Sequence, residues 1–295
     1  MTIINIGSVN IDHVYRVPHH PAPGETLAAT DYSVFLGGKG ANMSLAAALA
    51  GADVRHAGAI GAEGAWCRDR LAGAGVDVSD LVTLDAATGH AIINVDEAGE
   101  NVIVIHPGAN RALTEAQIGA ALNRAGPGDW LLMQNETNLV PFAAAEARAR
   151  GLKVAYAAAP FDAEATAEVL PHTDLLAVNQ IEAAQLAAHM GLEVTALPVP
   201  AILITLGKNG ALYRADGAEH RCEALNVAVV DTTGAGDTFL GYFLAGQTGG
   251  LGIPRAMARA TAAAALQIMK PGAADAIPTA REVDLLLERI EGTDK

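Results

Sequence analysis

Three clusters of residues in this chain have types and spacings that could do chemistry. The first is Asp231-Thr232-Thr233-Gly234-Ala235-Gly236-Asp237-Thr238-Phe239, which follows a strand-like apolar run at 227–230 and opens a helical stretch at 238–245. Small residues at a helix start let the backbone come close to a ligand. The N–H groups there lack intrahelical partners and, with the positive helix end, favour phosphate oxygens. A carboxylate is out of place at such an anion site unless it faces another group, such as an acceptor hydroxyl. Asp237 therefore reads as a general base beside an anion hole, and equally well as the N-cap of a structural helix.

The second cluster, Gly37-Gly38-Lys39-Gly40-Ala41-Asn42, also stands at a helix start. Its spacing is not that of a Walker A loop, and a dinucleotide fingerprint should follow the first strand instead. Taken alone, such a glycine cluster reads as a turn. The third cluster is Asn10 with Asp12. Alternate residues of an extended segment point the same way, and this pair offers the acceptors and donors that sugar hydroxyls require; two polar residues after a strand also suit a turn. His13, His19, His20 and His106 lack metal-ligand spacing and read as surface or lid residues. Trp66 and Trp130 read as core.

The elements that must hold these clusters follow from apolar periodicity. Strands are expected at 3–7, 54–60, 130–134, 153–156, 175–178 and 202–205, with helices at 41–50, 64–72, 115–124, 141–150 and 182–189 between them. Near-continuous apolar strands separated by helices indicate a mainly parallel sheet covered on both faces, a three-layer α/β/α sandwich. Neither an internal repeat nor a long linker is visible, so residues 1–295 read as one domain. Two regions break the rhythm, at about 11–36 and 89–106. The second contains two strands, 91–95 and 101–105, joined by the turn formers Asp96-Glu97-Ala98-Gly99-Glu100. Both regions together suggest a small separate β-sheet, a lid over a site at the strand ends; the alternative is an extension of the main sheet's edge. Residues 279–290 fit a final amphipathic helix, and 292–295 a frayed tail.

Composition bounds the function. Apolar residues make up 51% of the 295 positions and charged residues 18%, a globular balance. The mean hydropathy of +0.25 owes much to alanine, and no apolar stretch approaches the ~20 residues needed to span a bilayer. The richest stretch, 262–269, reads as a buried helix, and the first residues lack the build of a secretory signal. A net charge of −14 disfavours nucleic acid but permits ATP, because backbone N–H groups can bind phosphate on an acidic protein. Cys67 and Cys222 are far apart and form no disulfide framework, which suits a cytoplasmic protein.

In this order, the motifs resemble the ribokinase branch of the PfkB carbohydrate kinase family, over nearly the whole chain. Gly7-Ser8-Val9-Asn10-Ile11-Asp12 looks like the family's sugar-binding opening. Pro23-Gly24-Glu25-Thr26 with Gly37 to Asn42 looks like its first signature, and Asp231 to Phe239 like its second. Gly108-Ala109-Asn110 and Asn179-Gln180-Ile181-Glu182 match two shorter elements. The resemblance implies a ribokinase-like fold and transfer of the ATP γ-phosphate to a sugar's primary hydroxyl, D-ribose first among the candidates. It implies that Asn10, Asp12, Gly38, Lys39, Asn42 and Glu136 hold the sugar and that Asp237 is the base. Gly234, Ala235 and Gly236 would form the anion hole. Thr205, Gly207, Gly210, Gly236 and Thr261 would contact ATP. Asn179 and Glu182 would organise Mg2+ through water, and Asp231, Thr233, Lys270 and Gly272 would frame a K+ site. A homodimer through the lid strands is also implied. Two departures from the family stand out: a short connection between Glu182 and Thr205, and Pro271 within the cation loop. The rivals are a kinase of the same family acting on another sugar or a nucleoside, whose base Phe35 or Tyr15 could wall, and a non-catalytic sugar or nucleotide sensor.

Overall fold

The computed structural model describes residues 1–293. From the start, β1 (Thr2–Ile6) leads into β2 (Asn10–Arg16), β3 (Asp31–Gly37) and α1 (Lys39–Leu49). Then come β4 (Asp53–Ile60), α2 (Ala65–Gly73), β5 (Asp77–Thr83), β6 (Gly89–Val95), β7 (Asn101–His106) and α3 (Glu115–Leu122). The middle of the chain alternates: β8 (Trp130–Gln134), α4 (Val140–Ala149), β9 (Lys153–Ala157), α5 (Ala163–Val169), β10 (Leu175–Asn179), α6 (Gln180–Met190) and β11 (Ala201–Thr205). It closes with β12 (Ala211–Ala215), β13 (Ala218–Cys222), α7 (Ala235–Thr248), α8 (Ile253–Ile268) and α9 (Ala280–Thr293).

Nine strands form the main sheet in the order β13-β12-β11-β10-β9-β8-β1-β4-β5, parallel from β11 to β5. Alternate side chains of β1 enter opposite cores: Ile3 belongs to the core that includes residues of α1, α7 and α8, and Ile4 and Ile6 to the one that includes residues of α3, α4 and α6. This is why the parallel strands read as unbroken apolar runs. β12 and β13 add antiparallel at one edge, and β5 lies at the other. Sequence periodicity misses all three, because charges interrupt their apolar pattern: Arg214 on β12, and Glu219 and Arg221 on β13 and Asp77 and Asp80 on β5, the two edge strands, where charges also discourage further pairing.

The two irregular regions form a second sheet, β3-β2-β6-β7, and not an extension of the first. Its hairpin closes where Asp96 Oδ1 accepts the N–H groups of Ala98 and Glu100, both at 2.9 Å. β7 leaves Val102, Ile103, Val104 and Ile105 roughly half exposed.

Several expectations need correction. Residues 227–230 are not a strand: Val229 and Val230 are exposed, and the N–H groups of Val230 and Asp231 both bond Ile268 O at the end of α8. Trp130 is buried, but Trp66 is exposed. The expected tail is helical through Thr293, and Asp294 and Lys295 lie outside the described residues. Between α6 and β11 the chain makes only a single 3-10 turn, Val194–Ala196. No described helix is long and apolar enough to cross a membrane, and no cluster of three or more His, Cys, Asp or Glu among the described residues could hold a metal.

Candidate active site

The start of α7 is built for close approach. Gly234, at φ 75°, is its N-cap, so Asp237 is the third helical residue and not the cap itself. The first i→i−4 bond runs from Thr238 N to Gly234 O at 2.9 Å, which leaves the N–H groups of the turn ahead of it available to a ligand. Ala235 N turns back to Thr232 O at 3.2 Å, so the cup rests chiefly on Gly236 and Asp237.

Two helices then meet. A Cβ on Gly241 would stand 2.6 Å from Ala46 Cβ and 2.9 Å from Ala47 N, so only glycine lets α7 lie this close to α1. That approach brings Asn42 to Asp237, whose Oδ2 accepts Asn42 Nδ2 at 2.9 Å. Asp237 is 7% exposed. Burial pushes its carboxyl up to about 6, against the pull of the Lys39 ammonium and the Asn42 amide. The Lys39 ammonium is raised in turn, chiefly by Asp237 and then by Glu136 and Glu182, which outweigh its burial. Lys39 thus stands among three carboxylates and is not confined to the sugar side, where the sequence put it.

On the far side of Asp237 the polar residues of β2 converge with three other segments. Asn10 Oδ1 accepts Asn110 Nδ2 at 2.7 Å, and Asn110 also exchanges bonds with Val9 N and Val9 O. The Gly108-Ala109-Asn110 element therefore fixes the end of β2, a role with no local signature in the sequence. Asp12 shares its face; its carboxyl lies over Gly37, where any Cβ would be 2.1 Å from Oδ2. Burial, and Glu136 beside it, push Asp12 up to about 6. Glu136 accepts Lys39 N at 2.9 Å and the Ser8 hydroxyl through Oε2. Gly38 is the N-cap of α1, pressed against the backbone of Ser8 and Asn10.

Beneath this loop runs a buried polar chain that sequence reading passed over. Asn5 Nδ2 donates to Gly40 O at 2.8 Å and Ser44 Oγ at 2.9 Å, and Asn5 Oδ1 accepts Gln134 Nε2 at 2.9 Å. Ser44 Oγ meets His56 Nδ1 at 2.8 Å, and burial lowers that imidazole to about 4, so it is neutral at physiological pH. The signal was present: a lone Asn among the isoleucines of a buried strand must find buried partners.

A cavity of about 200 Å³ joins Lys39, Asn179, Glu182, Gly234 and Asp237. Through Thr205, Thr232 and Gly236 it opens into one of about 580 Å³, lined also by Gly207, Gly210, Asn226, Val229, Thr261 and Ile268. The volume and its mixed lining suit a nucleotide. The residues once read as a strand, 227–230, form part of its wall.

Comparison with known proteins identifies the family. The model of the pfkB family carbohydrate kinases matches residues 2–280. The chain belongs to that family. The ribokinase of Haemophilus influenzae is 35% identical over 302 residues, covering 97% of this chain and 98% of its own length. A Cryptococcus neoformans ribokinase in complex with ADP superposes with a TM-score of 0.84 at 32% identity, covering 97% of this chain and 99% of the other. An Arabidopsis thaliana ribokinase complexed with ribose and ATP gives 0.85 at 26% identity, covering 97% and 98%. This pfkB kinase is thus a phosphotransferase with ATP as its co-substrate.

Two expected ion sites fare differently in this pfkB kinase. Asn179 and Glu182 form a capping box on α6: Asn179 Oδ1 accepts the N–H groups of Ile181 and Glu182, both at 2.9 Å, and Glu182 Oε2 accepts Asn179 N at 2.7 Å. Both line the cavity beside Asp237; the Glu182 carboxylate fits Mg2+ held through water, and Asn179, whose Oδ1 is filled by the two N–H groups, fixes that carboxylate through the capping box. The K+ residues do not fit. Asp231 Oδ1 accepts Thr233 N at 2.9 Å and Thr233 Oγ1 at 2.7 Å, and its Oδ2 accepts Gly272 N at 2.9 Å. Desolvation opposes these bonds, yet they hold the Asp231 carboxyl below its usual value. Thr233 O and Ala273 O accept the Gln267 amide, and the Lys270 ammonium faces Glu282 at 3.3 Å.

Proposed function

We propose that this kinase transfers the γ-phosphoryl group of ATP to O5 of D-ribose. The observation that carries the reading is Asp237: a buried carboxylate on the first turn of α7, hydrogen-bonded to Asn42 and standing between the sugar-side residues and the nucleotide cavity. Asn10, Asp12, Asn42 and Glu136 offer amide and carboxylate groups to sugar hydroxyls. The one cation among them, Lys39, is engaged with Asp237 and Glu136, which favours an uncharged sugar over a phosphosugar. The ribokinase relatives, one of them solved with ribose and ATP, support the choice of sugar.

In this reading the sugar hydroxyl lies against Asp237, which takes its proton as the oxygen attacks the γ-phosphorus and the bond to the β-phosphate oxygen breaks. ADP leaves and the proton stays on the carboxyl until it reaches solvent. The N–H groups of Gly236 and Asp237, the positive end of α7 and the Lys39 ammonium meet the charge on the phosphoryl oxygens. Mg2+, held through water by Glu182 with Asn179 fixing its carboxylate, would supply further charge neutralisation at the ATP phosphates. Thr205, Gly207, Gly210 and Thr261 line the larger cavity and are assigned to the nucleotide. The sheet β3-β2-β6-β7 is read as a lid inserted in a single domain; the half-exposed residues of β7 support a homodimer in which two lids cover each other. The free Cys67 and Cys222 suit the cytoplasm.

The test is ADP release, coupled to a dehydrogenase readout, over a panel of pentoses, hexoses and nucleosides. D-ribose should give the highest kcat/KM, with phosphate on O5 by NMR. A nucleoside preferred over every free sugar would replace ribose as the acceptor, and binding without turnover across the panel would point to a sensor.

A further inference from the structure

Gln267, on the last turn of α8, is fully buried at 0% exposure. Its Nε2 donates to Thr233 O at 2.9 Å and to Ala273 O at 3.3 Å. Two carbonyls fix the orientation of the amide, because an amide oxygen turned toward them would set acceptor against acceptor. Oε1 accordingly points the other way and has no partner in the protein. The amide also underlies the first residue of the anion hole: a Cβ on Gly234 would stand 3.0 Å from Nε2. One side chain therefore ties the loop entering α7 to the loop leaving α8.

We infer that the Gln267 amide takes the place of a monovalent cation in this chain, so that phosphoryl transfer does not depend on K+. The inference rests on the kinase reading above. A dehydrated cation between these loops would need free lone pairs from Asp231, Thr233 and the residues after α8. Asp231 Oδ1 already accepts two protein donors and Oδ2 one, and Thr233 O and Ala273 O each accept Nε2, so each of the last three keeps one lone pair and the space between the two carbonyls is taken by the amide group. The two amide hydrogens point where the cation's charge would have to lie. A neutral bridge is weaker than an ion, but it carries no ion-desolvation penalty and is always present. Gln267 is a positioning residue in this account: it touches neither substrate and acts through Gly234 and Thr233. Removing it should free both carbonyls and create a cation site.

The experiment measures turnover and thermal midpoint in KCl and in tetramethylammonium chloride, whose cation is too large to enter. Wild-type kcat should agree within about twofold between the salts, with the midpoint unchanged. Gln267→Ala should lose about tenfold or more in tetramethylammonium, the scale of one mispositioned anion-hole donor, and recover in KCl. Its midpoint should rise in KCl alone, since an ion that binds only the folded state stabilises it. Gln267→Glu, which keeps the shape but brings a carboxylate to the two carbonyls, should also become K+-dependent and serves if the alanine variant fails to fold. Wild-type turnover stimulated more than about fivefold by K+, or a wild-type midpoint raised by K+, would overturn the inference. So would a Gln267→Ala protein indifferent to the salt. If no acceptor were phosphorylated in either salt, the kinase reading would fail, and the midpoints would still decide the role of Gln267.

Discussion

Replacing Asp237 by Asn tests both the chemistry and the electrostatics of the site. The substitution keeps shape and leaves an acceptor for Asn42 Nδ2, now 2.9 Å from Oδ2, but removes the base. General-base assistance contributes roughly 10²–10⁴-fold, or about 3–5 kcal/mol of barrier, so kcat should fall by that factor. KM values should move little, because Asn10, Asp12 and Glu136 remain. Stability should move the other way. The folded carboxyl titrates at about 6 against an ordinary 3.8. A raised carboxyl stabilises the fold fully below its unfolded value, and that contribution is lost as pH rises through about 6. At pH 7.5 the ionised Asp237 therefore costs about 3 kcal/mol, from the rise of roughly two pH units at 1.36 kcal/mol each. A neutral Asn escapes most of this, and the thermal midpoint should rise by about 5 °C for a chain of this size. Coupled ADP release and differential scanning calorimetry, both at pH 7.5, read the two effects. A kcat within about threefold of wild type would remove Asp237 from the mechanism; a midpoint that falls would show that its ionised form is not held under strain.

Other perturbations probe neighbouring parts. Because Asp237 and Asp12 both titrate at about 6 and the ionised forms are required, kcat should fall about tenfold by pH 5 and kcat/KM for the sugar by about a hundredfold; a flat profile over pH 5–7 would refute the assignment. Gly40→Ala would set a Cβ 2.3 Å from Ser8 N and 2.6 Å from Gly7 Cα, both backbone; the loop must shift, so sugar KM should rise at least about tenfold in steady-state assays, with a lost midpoint of several degrees. Val104→Asp, on the exposed face of β7 at 64% exposure, should turn a dimer into a monomer in sedimentation velocity while the isolated fold keeps its midpoint; an unchanged mass would remove the lid from the dimer interface.

Much of this protein is decided locally, and such features are legible from sequence. The buried parallel strands are runs of Ile, Leu and Val because both faces are covered, and period alone finds them. The small-residue helix start with an acid inside it marks the anion hole, and Asn10 with Asp12 share a face because alternate residues on a strand must. The antiparallel strands and the segment 227–230 were harder: charges on β12 and β13 hide pairing, and a β-branched run read as a strand bonds to the end of α8 and lines the larger cavity instead.

What only the tertiary structure decided are meetings between distant residues. Asn42 reaches Asp237 across 195 positions because Gly241 lets two helices touch, and Asn110 closes on Asn10 across 100. Lys39 finds three carboxylates from three other segments, and Gln267 finds the carbonyls of Thr233, which the family resemblance had assigned to an ion, and of Ala273. A side chain's partners depend on the distance and register of packed elements, and local periodicity carries no information about either. Sequence alone therefore offered candidate residues for this site, and packing determined which of them face one another.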